Sequence, residues 1–234
     1  MNRFLKLTAA AFMAVFFANN SIADNQGISI GIWGSQLDLD TYGTETRTAT
    51  GGAVGDGVIT SSSQSKSVDV GSVFIEYTAE QGSSIGLEYF PGDGTIGNVS
   101  RTDTGTETDG TTSSMTYTAK ADVTDIWSVY MEPTVMFNDT FGVYGKVGVT
   151  TMYLKSLESL DNGTDSTVYP NKDIWGAMYG FGVKARHSSG LFLKLETSVT
   201  AFQHIKLQSL TGNKGRIDAD LDVQATRLAL GYTF

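Results

Sequence analysis

The chain has 234 residues, with 16 Lys and Arg against 25 Asp and Glu, a formal charge of −9, and no Cys. This acidic balance argues against nucleic acid, which is bound chiefly through cations, and the absence of cysteine excludes a disulfide framework, a thiolate metal site and a cysteine nucleophile. Beyond the first residues no apolar stretch approaches the roughly 20 residues of a membrane-spanning helix, while 27 Gly with 12 Phe, 10 Tyr and 3 Trp suit a barrel whose two faces meet different solvents.

The chain opens Met1-Asn2-Arg3-Phe4-Leu5-Lys6, continues with an uncharged apolar run over residues 7–18 and reaches Ser21-Ile22-Ala23. Cations, a short apolar run and small residues at the inspected positions predict a secretory signal peptide cleaved after Ala23. Residues 24–234 then form one barrel domain with a charge of about −11 once Arg3 and Lys6 are gone. The apolar run is too short to cross a bilayer as a helix.

Eight segments alternate with period two. The first, residues 27–39, sets Ile28, Ile30 and Ile32 against Ser29 and Gly31, with a change of phase near Gly34 that suggests a bulge. The second points Val73, Ile75 and Tyr77 outward, with Phe74 and Glu76 inward; in the third Ile85, Leu87 and Tyr89 oppose Gly86, Glu88 and Phe90. In the fourth, residues 115–135, Val123, Trp127, Val129 and Met131 oppose Ser128, Tyr130 and Glu132. The fifth sets Phe141, Val143, Val147, Val149 and Tyr153 against Gly142, Tyr144, Lys146 and Gly148. Its glycines and β-branched residues disfavour a helix. The sixth opposes Trp175, Tyr179, Phe181 and Val183 to Gly176, Met178, Gly180, Gly182, Lys184 and Arg186. In the seventh Leu191, Leu193, Leu195 and Val199 oppose Phe192, Lys194, Glu196 and Ser198, and the eighth is the closing run from Thr226 to Phe234.

Connections alternate in length. Residues 41–66, 92–114, 156–172 and 208–219 read as long loops rich in Thr, Ser, Gly and Asp, whereas residues 80–83, 138–140 and 188–190 read as tight turns. That alternation, with aliphatics on the outer face, predicts an all-β, eight-stranded antiparallel up-and-down transmembrane β-barrel.

Val143-Tyr144-Gly145-Lys146-Val147-Gly148, Gly180-Phe181-Gly182-Val183-Lys184, the leader and the final Phe234 resemble the small eight-stranded outer-membrane β-barrel family, which includes the membrane domain of outer-membrane protein A and the neisserial-type surface proteins. The resemblance implies a bacterial outer-membrane location, a monomer, and a closing strand read by the barrel-assembly machinery through Leu228, Leu230, Tyr232 and Phe234. No peptidoglycan-binding domain is expected after Phe234, so a cell-wall anchoring role is not carried over. Lipid and lipopolysaccharide are the implied surroundings. Lys206, Lys214 and Arg216 are candidate contacts to lipopolysaccharide phosphates, the other reading being solvated loop cations.

A Lys or Arg facing lipid at mid-membrane costs about 2–4 kcal/mol, so strand charges should point into the lumen. Glu76, Glu88, Glu132 and Glu196 share the inward phase with Lys146, Lys184, Arg186, Lys194 and Arg227. An eight-stranded barrel is filled by side chains. These ions are therefore expected to pair in a buried network, the alternative being a narrow polar pore opened by exchange of partners.

His187-Ser188-Ser189 resembles the His-x-Ser arrangement of an outer-membrane lipid A deacylase, but it falls at a short turn and reads as a turn. His204 has neither serine nor carboxylate among its sequence neighbours Gln203, Ile205 and Lys206. Asp218, Asp220 and Asp222 project to one side of an extended chain, yet lack the turn glycine of a calcium loop and read as a solvated strand end. No catalytic residue, metal or cofactor is expected. The predicted function is structural and surface-interactive, through four extracellular loops that meet an unidentified surface ligand. A narrow channel for small solutes and a lipid-modifying enzyme are the competing classes.

Overall fold

The computed structural model describes residues 26–46, 59–106, 112–160, 165–210 and 215–234. The leader and the centre of the first expected loop, including Gly52, lie outside them, as does Lys214. The strands are β1 (Gly27–Thr46), β2 (Ile59–Thr78), β3 (Ser84–Phe90), β4 (Gly94–Thr106), β5 (Thr112–Glu132), β6 (Thr134–Met136), β7 (Phe141–Leu160), β8 (Asp165–Val168), β9 (Lys172–Arg186), β10 (Leu191–Phe202), β11 (Ile205–Gln208) and β12 (Arg216–Thr233). Antiparallel pairing runs β1, β2, β3, β5, β7, β9, β10, β12 and back to β1, a closed ring of eight strands. β4, β6, β8 and β11 are continuations at interruptions of the ring strands. Pro91, Pro133 and Pro170 stand at three of those interruptions, where a residue without an N–H cannot continue the ladder.

Closure begins at the termini. Ser29 pairs with Thr233, and the register continues without a shift to Thr46 and Arg216. Gly27 and Phe234 share one end of the barrel with the short turns. Gly82 and Gly190 each take φ +92° there, a left-handed conformation that glycine adopts without steric cost.

An apolar belt surrounds this terminal half. Ile32, Val73, Ile85, Leu87, Val129, Val147, Phe181, Leu193 and Leu228 are all exposed on the outer face. Tyr89 and Trp127, with ring centroids 4.4 Å apart, mark its far edge. β1, β2 and β7 each have 20 residues and β5 has 21, about twice the 9–11 that cross a bilayer. The barrel therefore continues well beyond the belt.

That extension corrects three sequence expectations. Most of the long loops are strand: β1 runs on to Thr46, β2 begins at Ile59, and β4 occupies Gly94–Thr106. Their Thr and Ser are compatible with β structure, and cross-strand hydroxyl contacts such as Ser100–Thr118 at 2.9 Å and Thr102–Thr116 at 3.0 Å bind them. Gly34 carries no bulge, because β1 keeps one inward phase from Ser29 through Trp33, Ser35 and Leu39. What changes there is the surroundings: beyond the belt the outer face turns polar with Gln36, Asp38 and Asp40, and the inner face turns apolar with Leu37 and Leu39. The real phase change lies in β5, where the register shifts between Thr124 and Trp127 and Asp125 has φ 54°. Val123 is thereby buried inside, not on the face of Trp127.

Candidate functional site

The lumen has two halves. Within the belt lie Glu76, Glu88, Glu132, Glu196, Lys146, Lys184, Lys194 and Arg227, none more than 3% exposed. The arrangement balances four carboxylates with four cations. Lys194 Nζ donates to Glu76 Oε2 and Glu132 Oε2, each at 2.6 Å. Lys146 Nζ lies 3.1 Å from Glu196 Oε2 and 3.7 Å from Glu132 Oε1. The Arg227 guanidinium bridges Glu88 and Glu196 and donates through Nε to Ser35 Oγ at 3.0 Å. Tyr130 and Tyr144 hydroxyls donate to Glu76 and Glu196, each at 3.2 Å. Desolvating an ion costs several kcal/mol even after relaxation. The cost is offset by these pairs and by ring faces, with Lys146 Nζ 4.1 Å from the Tyr130 centroid and Arg227 4.4 Å from that of Trp33.

Lys184 and Lys194 are directly opposite in the β9–β10 ladder. Like charges there repel. Lys184 instead reaches across the lumen to Ser84 Oγ at 3.2 Å, remaining 3.9 Å from Glu76 and Glu132. Below it, Ser84, Thr78, Ser29 and Thr233 form a line of hydroxyl contacts of 3.3, 3.3 and 2.9 Å across the terminal end. Arg186, grouped by sequence with the interior ions, is only half-buried and lies at the terminal rim beside Gly82. As the last residue of β9 it is at the height of the turns.

Inward aromatics complete the packing, and four of them lie over a glycine. Phe74, Tyr130, Tyr144 and Phe192 are register partners of Gly31, Gly86, Gly182 and Gly231. A Cβ on any of those glycines would come within 2.3–2.5 Å of the ring. Here glycine is required for space.

The far half is apolar inside. Leu39, Ile96, Val123, Leu154, Ile205 and Leu221 are buried in one cluster, which borders a cavity of about 250 Å³. Sequence reasoning missed this chamber by treating residues 92–114 and 208–219 as loops. Its signal was present: Ile205 and Leu207, and Ile217, Ala219, Leu221 and Val223, alternate with polar residues.

The wall beside the chamber is incomplete. β2 pairs with β3 only over Val73–Thr78, and β4 pairs with β5. Among the described residues no ladder joins residues 59–72 of β2 to β4. Lys66 spans this seam, its Nζ donating to Thr95 O at 2.9 Å.

On the outer face beyond the belt, His204 Nδ1 is 2.7 Å from Asp220 Oδ1 and Nε2 is 3.3 Å from Asp218 Oδ1. Hydrogen bonding to Asp220 and then Asp218 raises the imidazole pKa above its ordinary value, opposed by desolvation and Lys206. The carboxylates missing from its sequence neighbourhood come from the adjacent strand. Lys206 is 3.9 Å from Asp218, Arg216 is exposed across from Thr46, and Asp222 pairs with Asp40. His187 Nδ1 lies 2.9 Å from Ser189 Oγ and accepts the Ser189 N–H at 3.2 Å, so this pair closes the turn before β10. Leu228, Leu230 and Tyr232 project outward from β12, and the Tyr232 and Phe234 rings meet edge-on at 5.0 Å.

No family model and no curated protein matches the chain. Solved structures do match it. The outer membrane protein OprG from Pseudomonas aeruginosa is 15% identical with a TM-score of 0.50, over 92% of this chain and 99% of that one. Neisserial surface protein A is 10% identical with a TM-score of 0.35, over 86% and 97% of the two chains. Ail of Yersinia pestis is 11% identical with a TM-score of 0.33, over 83% and 98%. The closed ring and the likeness to OprG give this chain the fold of the small eight-stranded outer-membrane β-barrels.

Proposed function

We propose that the protein is a monomeric bacterial outer-membrane barrel with a structural and surface-interactive role, not an open pore and not an enzyme. The observation that carries this reading is the charge-balanced ion layer, backed by four inward aromatic rings and floored by hydroxyl contacts. A lumen so filled leaves no continuous water path. In this reading residues 1–23 direct export, and the closing strand is read by the assembly machinery. The terminal end faces the periplasm. The far half then stands above the outer leaflet, where Lys206, Lys214 and Arg216 are candidates for lipopolysaccharide phosphates and the barrel rim meets a surface ligand.

Planar-bilayer recording of the purified protein tests it. The wild type should show no steady, large single-channel conductance. Such a conductance, unchanged by Glu196→Gln, would overturn the closed-lumen reading in favour of solute transport.

A further inference from the structure

We infer that the chamber in the far half of the barrel is a binding site for one small hydrocarbon-like molecule, of the size of a fused two-ring aromatic. A core serving only to hold strands together is packed without voids larger than a water molecule. This one leaves about 250 Å³ of partly open space between its walls. An engineered cavity of about 150 Å³ lined by aliphatic and aromatic side chains stays dry and takes up benzene. The present chamber is larger and similarly lined, with Ile96, Leu154, Ile205, Leu207 and Leu221 around it. Of its charged lining residues, Glu45, Lys120 and Glu158 stand toward the far rim by their register positions and Asp220 is exposed beside His204, and Tyr169 OH donates to Glu45 Oε1 at 3.4 Å. The body of the chamber therefore selects for apolar volume, and its rim tolerates water.

The seam supplies access. Thr60, Ser62 and Gln64 of β2 line the chamber from one flank, and Ile96, Gly97 and Val99 of β4 from the other. A ligand entering between them need not pass the ion layer. The inference rests on the proposed reading only in treating the chamber as blind, and a conducting lumen would leave the binding result intact.

The test uses the whole barrel in lipid nanodiscs, isoleucine-methyl NMR and naphthalene as the probe. Ile96, Ile205 and Ile217 report the chamber, whereas Ile32 and Ile85, in the lipid-facing belt, report naphthalene dissolved in the bilayer. The chamber methyls should shift saturably and the belt methyls linearly. Ala121→Phe and Ala219→Phe, which fill the chamber from two different walls, should each weaken binding at least tenfold while keeping heat-modifiable gel mobility. Unsaturable shifts in the wild type, or saturation unaffected by a folded filling variant, would overturn the assignment. Should both variants fail to fold, wild-type saturation at the chamber methyls decides.

Discussion

Four glycines in the lumen are defined by what lies over them. Gly86 is the clearest case, because the nearest atoms to an added Cβ all belong to Tyr130, at 2.4, 2.5 and 2.8 Å. Overpacking a filled core typically costs about 1–3 kcal/mol, so Gly86→Ala should destabilise by that amount. A double-mutant cycle with Tyr130→Ala should show the cost shrinking when the ring is absent; equal costs in both backgrounds would refute the ring-over-glycine account. Glu196 is the corresponding charge test. It accepts from Lys146 at 3.1 Å, Arg227 at 3.3 Å and Tyr144 at 3.2 Å. Glu196→Gln leaves buried cations under-compensated, and breaking such a pair costs about 3–5 kcal/mol. Urea unfolding in lipid vesicles should show that loss, and adding Arg227→Gln should recover part of it.

At the level of the strand, each element serves two solvents. β12 shows this most plainly: Arg227 is inward and Leu228 outward within the belt, whereas beyond it Leu221 is inward and Asp220 and Asp222 outward. The same alternation therefore changes meaning halfway along the element. His204 ties the joint between β10 and β11 to β12. Its folded pKa lies above the ordinary 6.5, so the clasp contributes its full stabilisation below that value and loses it as pH rises through the raised one. Amide exchange at Ile205–Gln208 should accelerate with pH beyond the intrinsic chemical trend, and His204→Gln should abolish the excess; an unchanged excess would exclude the clasp. The other end of β12 is tied by Phe234 N–H donating to Ile28 O at 2.9 Å. If the closing strand is the insertion signal, deleting Phe234 or making Phe234→Asp should sharply reduce outer-membrane insertion, as read by cell fractionation. Ser63→Ala, on the exposed far part of β2, serves as the unaffected control.

For the molecule as a whole, the membrane half carries charge inside and apolar residues outside, and the far half reverses both. A barrel crossing a membrane must place polar groups in the lumen, whereas one standing in water needs an apolar core. Stacking the two on one set of strands places a buried ion layer beneath an apolar chamber. Closure is also uneven: β1 and β12 pair over eighteen positions from Ser29 to Thr46, whereas β2 and β3 pair only over Val73–Thr78.

Period-two alternation and belt aliphatics made the eight strands, their lipid-facing sides and the inward phase of Glu76, Glu88, Glu132, Lys146, Lys194, Glu196 and Arg227 legible from the sequence. These are local properties, set by where successive side chains point. Pairing was not local: Lys194 meets Glu76 at a separation of 118 residues, and Arg227 meets Ser35 at 192. Nor could the sequence assign Thr- and Ser-rich stretches to strand, because a polar strand with a solvated face has a loop's composition. The bulge at Asp125, the aromatics seated over four lumenal glycines, the seam and the chamber all depend on which strand lies beside which. Only closure of the ring decides that.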